Sequence, residues 1–347
     1  MEYHISSKTA TGTKKLYYEP NGDWYRSLDN GNCVVLAVAD GVGTCASDSR
    51  ASHTACDSFI EKCASAFNRN EVLDESVIQR FCVEIDPVLA GHNDLSCFSA
   101  AIWYTNTNQV IWLNVGDTRI YKCSRSGIMT QMTIDDRAVA NKKSNNPKYG
   151  KYQTEHGALV PSVGVKYALG DCRLKFHTGS FEFLSGESLI LCSDGMYNSL
   201  TFDNDMAKLL GSFDLDEAIK RIETTDQDDN TLLVLRRDMT VDTHLDELMT
   251  QFEQDSNAMP SYILIDGFCN GLKKLLEEDT AAHDIAKAAA FMKQHQLYPD
   301  RQHIESLYQA AYDKLKSSPQ GEDWQQLNAA CRDLLEMLRY VFKHSSK

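Results

Sequence analysis

Aspartates recur in short turns beside apolar runs, and this arrangement constrains the fold more than any other feature of the chain. Each turn holds an Asp with a Gly, an Asn or a second Asp, beside a run of β-branched or aliphatic residues. The turns lie at residues 21–23, 39–43, 116–119, 193–195 and 228–231. One such turn is uninformative, because Asp and Gly are common turn residues. Since the strands of one sheet system end close together, the whole set predicts that several carboxylates converge.

The apolar runs beside these turns predict strands. Short β-rich runs bounded by Gly, Asp and Asn lie at residues 33–39, 110–115, 188–192 and 231–235. Between the first two runs, apolar residues recur at helical spacing over residues 51–63 and again near residues 72–81. Strands that pair around helices arriving mainly in one block indicate an α+β layered fold.

The last third of the chain has a different pattern. Apolar residues recur at helical spacing from Ile304 to Leu315 and from Trp324 to Leu338, and prolines at 260, 299 and 319 interrupt the pattern. These features predict a mixed domain at residues 1–241 and a helical C-terminal domain of unknown role at residues 242–347. Core packing is the simplest interpretation of the apolar stripes in the helical part.

Charge and composition disfavour whole classes of function. The chain of 347 residues has 49 acidic and 35 basic residues, and its formal charge of -14 repels nucleic acid and anionic membrane surfaces. No apolar run approaches the ~20 residues of a membrane span. The 11 cysteines show no Cys-x-x-Cys spacing, which argues against zinc-finger and thioredoxin-like sites. We therefore predict a cytoplasmic protein with reduced thiols and without nucleic-acid or membrane partners.

Asp40, Asp194 and Asp229 stand beside the clearest apolar runs. Several carboxylates cannot share one site unless cations neutralise them, because burying like charges is too costly. Hard oxygen ligands of this type suit Mn²⁺ or Mg²⁺. Two such ions about 3.5–4 Å apart lower the pKa of a shared water and orient a phosphate ester for in-line attack.

The order of the motifs resembles the PPM family, the type 2C metal-dependent serine/threonine protein phosphatases, across residues 11–235. The motifs that carry the resemblance are ADGVG at 39–43, DLSCFSAA at 94–101, VGDTRIY at 115–121, MTIDD at 132–136, LCSDGMY at 191–197 and DNT at 229–231. Each motif is modest alone, but their number, order and separations together are specific to this family.

The resemblance implies a four-layer αββα sandwich, followed here by an all-α region, with metal ions in a cleft at one edge. By this resemblance, Asp40, Asp194 and Asp229 are catalytic carboxylates that hold the first ion. Asp40 and the Gly41 carbonyl reach the second ion, whose waters Asp23 helps to fix. Asp117 and Asp194 hold a third ion that many members bind. The water between the first two ions then hydrolyses phosphoserine or phosphothreonine in a phosphorylated protein substrate.

The sequence departs from the family where the substrate phosphate binds. Family members commonly carry an arginine shortly before the position of Asp23, and here Lys15 is either a substitute for phosphate binding or a surface lysine. The histidine that many relatives have after the first Asp-Gly is missing, and Asp136 replaces the histidine of the Thr-x-Asp-His segment. The basic stretch at residues 142–152 falls where the family has a variable flap, and it is either a substrate contact or a solvated loop.

The sequence leaves two alternatives open. A catalytically weak pseudophosphatase would use the same cleft as a regulatory binding module, which the missing arginine and histidine favour and the retained aspartates oppose. In a further alternative, compatible with either an enzyme or a pseudophosphatase, residues 242–347 would dock a cognate kinase or the substrate and the first domain would act as the effector.

Overall fold

The structure is a computed structural model that describes residues 3–13, 15, 19–43, 45–124, 128–136, 152–153, 159–160, 167–198, 205–206, 209, 215–222, 228–238, 245–254, 262–277, 282–297, 299–317 and 324–344. The predicted domain boundary at residue 241, the predicted breaks at residues 260 and 319, and all but the last residue of the predicted flap lie outside this set.

The described chain contains strands in its first two thirds and helices in both parts. The strands are β1 (Tyr3–Ala10), β2 (Asp23–Asp29), β3 (Cys33–Gly41), β4 (Ser96–Tyr104), β5 (Gln109–Val115), β6 (Arg119–Cys123), β7 (Met129–Gln131), β8 (Tyr152–Gln153), β9 (Leu159–Val160), β10 (His177–Glu182), β11 (Ser188–Cys192) and β12 (Asn230–Arg237). The helices are α1 (Asp48–Asn68), α2 (Glu75–Gly91), α3 (Asp194–Tyr197), α4 (Leu215–Arg221), α5 (Leu245–Gln254), α6 (Tyr262–Glu277), α7 (Ala282–Gln294), α8 (Arg301–Ser317) and α9 (Trp324–His344).

Two antiparallel five-stranded sheets form the centre of the fold. One sheet has the order β10-β5-β4-β3-β2 and the other the order β1-β12-β11-β6-β7. The strands predicted at 33–39, 110–115, 188–192 and 231–235 are confirmed as β3, β5, β11 and β12. All four join central positions rather than edges, which explains why their sequences are continuous apolar runs.

Alternation along β3 shows how the layers stack. Val35 and Ala37 pack against the helix layer that contains α1 and α2, whereas Val34 and Leu36 pack into the space between the two sheets. Successive side chains of a strand point to opposite faces, so both faces of β3 are buried.

The second sheet repeats this alternation on its own two faces. Leu233 of β12 packs between the sheets, and Leu232 and Val234 pack with Leu215 and Ile219 of α4 on the outer side. The layers are therefore helix, sheet, sheet and helix, which confirms the α+β sandwich.

Capping decides where the second helix begins. The stretch predicted near residues 72–81 is α2, but the helix starts at Glu75, because Asp74 accepts a hydrogen bond from the Val77 N–H and acts as the N-cap. Val72 stays outside the helix and is 67% exposed.

The C-terminal helices have a core of their own. The helices predicted from Ile304 and from Trp324 are confirmed as α8 and α9, and Pro299 lies between α7 and α8 as expected for a break. Their buried apolar side chains form one cluster, which is drawn from Leu248 to Val341. No helix in the described part of the chain is both long and apolar enough to cross a lipid bilayer.

The separate cores make the predicted domain division testable. A chain that ends at residue 243 keeps every residue of the three clusters around the sheets, and a chain that begins at residue 244 keeps the helical cluster. We expect both pieces to unfold cooperatively on heating, as followed by circular dichroism. A non-cooperative profile for the first piece, with the full-length chain cooperative, would show that the sheets depend on the helices and would contradict the division.

Candidate functional site

The candidate site starts from one cross-strand pair. β2 begins at Asp23, β3 ends one residue after Asp40, and Asp23 and Asp40 are direct partners in the antiparallel register of the two strands. Directly paired residues project to the same face of a sheet, so the two carboxylates are neighbours. Like charges at such positions repel, which makes this pair costly without a compensating cation.

Burial and neighbouring carboxylates raise the pKa of both groups. Asp23 is 1% exposed. Burial raises its pKa to about 8, with the charges of Asp229 and Asp194 acting in the same direction and a hydrogen bond from Ser193 opposing them. The pKa of Asp40 is also raised well above its ordinary value.

The causes at Asp40 identify the other members of the cleft. Burial is the largest cause, followed by the negative charges of Asp23, Asp194, Asp117 and Asp228. The aspartates predicted from the sequence are therefore brought into one electrostatic cluster, and Asp228 is an additional member. Gly41, whose carbonyl the resemblance makes a ligand, is the last residue of β3, directly after Asp40.

Ser193 joins the two sheets at this cluster. Its hydroxyl donates to Asp23 Oδ2 at 2.5 Å and accepts from the Thr231 N–H at 2.9 Å. Asp23 Oδ1 is buried and has no hydrogen-bond partner among the described residues. A buried carboxylate oxygen without a partner is costly, and a cation is the group that would satisfy it.

Asp117 is held by contacts on both its backbone and its side chain. The Cys97 thiol donates to Asp117 Oδ1 at 3.1 Å, and the Tyr197 hydroxyl donates to the Asp117 carbonyl at 2.7 Å. The Arg119 guanidinium lies 3.6 Å from the centre of the Tyr197 ring and forms a two-pronged ion pair with Asp135. These contacts fix the loop between β5 and β6 against α3.

Asp229 is bound differently from the other aspartates. Its Oδ1 accepts from the Gly12 N–H at 2.8 Å, and its Oδ2 accepts from the Gly22 N–H at 2.6 Å and lies 2.5 Å from Lys15 Nζ. Asp229 thereby ties the loop between β1 and β2 to the start of β12. The neighbouring Asp228 has an exposed side chain whose charge acts on Asp40.

Close backbone approach explains why glycine follows two of these aspartates. A Cβ on Gly195 would lie 2.0 Å from the Asp229 carbonyl oxygen, and a Cβ on Gly41 would lie 2.0 Å from the Asp48 carbonyl oxygen. Any side chain would force these segments apart. The Asp-Gly motifs therefore hold the carboxylates close to β12 and α1.

The residues present suit a hard divalent cation in their chemistry. All the converging groups are carboxylate oxygens, the donor type that Mn²⁺ and Mg²⁺ prefer. Among the residues that the structure describes, no three Asp, Glu, His or Cys side chains already surround a common point at ligand spacing. The Lys15 ammonium, which contacts Asp229 and Asp48, supplies positive charge at one side of the cleft.

A histidine lies beside the position where the sequence lacks one. Asp136 accepts from Lys175 Nζ at 3.0 Å and pairs with His177 Nε2 at 2.8 Å, and its N–H donates to the Gly116 carbonyl. His177 belongs to β10, far along the chain, so no local sequence signal points to it. Asp228 lies in the predicted turn at residues 228–231, but the family motif begins at Asp229, so the resemblance points to Asp229 rather than Asp228.

Comparisons with known proteins identify the family and the fold. A family model of protein phosphatase 2C matches residues 17–224. The match includes Asp23, Asp40, Asp117 and Asp194, and it ends before Asp228 and Asp229. No curated protein sequence matches the chain at a significant level.

Solved structures share the fold at low sequence identity. The PPM Ser-Thr phosphatase MsPP from Mycobacterium smegmatis, in complex with cacodylate, is 21% identical with a TM-score of 0.51, over 68% of this chain and 98% of its own. Serine/threonine phosphatase Stp1 from Staphylococcus aureus is 15% identical with a TM-score of 0.51, over 68% of this chain and 95% of its own. A C. elegans sex determining protein is 14% identical with a TM-score of 0.52, over 68% of this chain and 65% of its own. The family match spans more than half of the sequence and the structures share its fold, so the chain belongs to the protein phosphatase 2C family.

Proposed function

We propose that the protein is a metal-dependent protein serine/threonine phosphatase that hydrolyses phosphoserine or phosphothreonine. The observation that carries the proposal is the cross-strand pair of the buried Asp23 and the half-buried Asp40. Their raised pKa values and the unpartnered Asp23 oxygen favour a bound cation. Family membership supports the reaction class.

The roles of the chain's own residues follow from their positions. Asp40, Asp194 and Asp228 or Asp229 would hold Mn²⁺ or Mg²⁺, with Asp23 and Asp117 completing sites for two or three ions. When bound, such ions activate water for attack, orient the phosphate ester and neutralise its developing charge. Ser193 fixes the orientation of Asp23, and Cys97 and Tyr197 fix Asp117.

The choice between Asp228 and Asp229 depends on what each carboxylate already contacts. Asp229 is engaged by two backbone N–H groups and by Lys15, which is the environment of an anchoring carboxylate. The charge of Asp228 contributes to raising the pKa of Asp40. We therefore assign Asp228 as the metal ligand of this turn and Asp229 as the residue that anchors the loop carrying Asp23.

The substrate and location belong to the same proposal. A phosphorylated protein is the substrate class that the family indicates. The cysteines of the described chain are free thiols, which suits the reducing cytoplasm. Docking of a cognate kinase or substrate on the C-terminal helices stays a prediction.

Metal dependence is the first test. With p-nitrophenyl phosphate, activity is expected with Mn²⁺ or Mg²⁺ and is expected to vanish in EDTA, since the carboxylates then lack their counter-charge. Asp194→Asn should lower turnover by at least ~100-fold, comparable to the loss of a principal electrostatic stabiliser. Cys192→Ser, at a buried neighbour without a proposed role, should keep its activity. Full activity in excess chelator would rule out the metal-dependent mechanism.

The second test separates the adjacent aspartates. Asp228→Asn is expected to weaken Mn²⁺ binding in calorimetry and to lower turnover by ~100-fold. Asp229→Asn should mainly lower the thermal unfolding midpoint measured in chelator, because its charged hydrogen bonds anchor the loop. If Asp229→Asn abolishes Mn²⁺ binding while Asp228→Asn does not, Asp229 is the ligand, as the family resemblance implies.

The third test uses the pKa of Asp23. The unfolded pKa of an Asp is about 3.9, and the folded pKa is about 8. The folded state therefore holds an extra proton between these values, and its stability in chelator should fall as the pH rises from about 5 to 8. Asp23→Asn should flatten this slope in thermal unfolding at several pH values. An equal slope in the variant would assign the dependence to other groups.

A non-catalytic binding module is the second candidate. It is favoured by the Lys15 ammonium within the cleft and by the absence, among the described side chains, of a preformed three-ligand set. Mn²⁺ binding without turnover of p-nitrophenyl phosphate or a phosphopeptide would favour this candidate over the enzyme.

A further inference from the structure

The ammonium of Lys15 is saturated by acceptors of the protein. Its Nζ lies 2.5 Å from Asp229 Oδ2, 2.7 Å from Asp48 Oδ2 and 2.9 Å from the Pro20 carbonyl oxygen. An ammonium has three N–H donors, and three acceptors surround it here. The side chain is only 18% exposed, so this arrangement is partly removed from water.

The charge state of Lys15 agrees with these contacts. Burial lowers the pKa of the ammonium, but hydrogen bonds and charges from Asp229 and Asp48 outweigh burial and raise the pKa overall. Lys15 is therefore a cation at neutral pH. It occupies the acidic cleft as a fixed positive charge.

Asp48 is the second carboxylate of this contact, and it lies outside the motifs that carry the family resemblance. It is the first residue of α1, and its Oδ1 accepts from the Ser49 N–H at 2.7 Å. A Cβ on Gly22 would lie 2.9 Å from both Asp48 Oδ2 and Asp229 Oδ2, which shows that the two oxygens converge beside Gly22. Without Lys15, two carboxylates would face each other there and repel.

We propose that Lys15 is a positioning residue whose ammonium is a built-in counter-cation of the cleft, holding Asp48 and Asp229 together in the metal-free protein and loosening from them when a divalent cation binds at the adjacent Asp228. This inference rests on the proposed metal-dependent function. In this role Lys15 does not bind the substrate phosphate, because the N–H groups of its ammonium that would bind a phosphate hold carboxylates instead. The Lys15 ammonium then determines how strongly the stability of the folded protein depends on bound metal.

The consequence is repulsion between two cations in the same cleft. Lys15 joins the start of α1, the start of β12 and the loop before Asp23, so it stabilises the metal-free cleft. A divalent ion held by Asp228 would lie close to the ammonium at the adjacent Asp229, and repulsion between the two cations weakens metal binding. Removing the ammonium should therefore destabilise the metal-free protein and strengthen its response to metal.

The experiment compares Lys15→Met, Lys15→Arg and Lys62→Met in the full-length chain. Lys62 forms a surface ion pair with Glu84 at 2.5 Å and supplies a matched control. In chelator, Lys15→Met should lower the unfolding midpoint by about 3 °C or more, and Mn²⁺ should restore it. Calorimetry should show Mn²⁺ binding that is about tenfold tighter than in the unsubstituted protein. Lys15→Arg, which keeps the charge, and Lys62→Met should both behave like the unsubstituted protein.

A second measurement needs no substitution and decides the case if Lys15→Met does not fold. Acylation of lysines with an amine-reactive reagent, read by peptide mass spectrometry, should modify Lys15 slowly in chelator and faster with Mn²⁺. Lys62 should react equally under both conditions. Unchanged or slower reaction of Lys15 with Mn²⁺ would overturn the proposal.

The remaining outcomes separate this inference from the proposed function. If Lys15→Met binds Mn²⁺ as the unsubstituted protein does and has the same midpoint in chelator, the counter-cation role is wrong and the metal site stands. If Lys15→Met only weakens binding of inorganic phosphate, Lys15 is a phosphate ligand and the inference is overturned. Absence of Mn²⁺ binding in every variant overturns the proposed function and this inference together.

Discussion

Repulsion between the paired carboxylates of Asp23 and Asp40 is the constraint on which the rest of the cleft depends. The strand register places the two groups side by side on one face of the sheet, and neither can move to the other face without a shift in the pairing of β2 and β3. Burial and neighbouring charges raise the pKa of both groups. The fold tolerates this cost because the layers on either side of β3 are closed by apolar packing that is independent of the cleft.

The neighbouring contacts hold this repulsive arrangement in place. Ser193 links Asp23 of one sheet to Thr231 of the other, and Gly195 allows α3 to approach the start of β12. These contacts act across the boundary between the sheets, where apolar packing ends. The fold therefore gathers the carboxylates into one cleft before a cation arrives, although no three of the described side chains are yet at ligand spacing around a common point.

The sequence predicts the features that depend on local pattern, and it misses those that depend on distant pairing. The central strands and most helices follow from apolar runs, and the converging aspartates follow from turns beside those runs. β1 gives no such signal, because its largely polar sequence forms a strand only by pairing with the distant β12. The paired residues run from Tyr3 with Arg237 to Ala10 with Asn230. His177 beside Asp136 and Asp48 beside Lys15 are juxtapositions of distant segments, for which one sequence carries no local signal.

The departures from the family pattern lie around the retained carboxylates rather than among them. Asp23, Asp40, Asp117 and Asp194 converge, whereas the groups expected to touch phosphate or move its proton are replaced. Lys15 points its ammonium at carboxylates, and the Asp136 position is paired with His177 from another strand. The carboxylates of this cleft still need positive charge, but the source of that charge differs from the family pattern. In the role we propose for Lys15, part of that charge comes from the chain itself, and metal occupancy and fold stability are then coupled through Lys15.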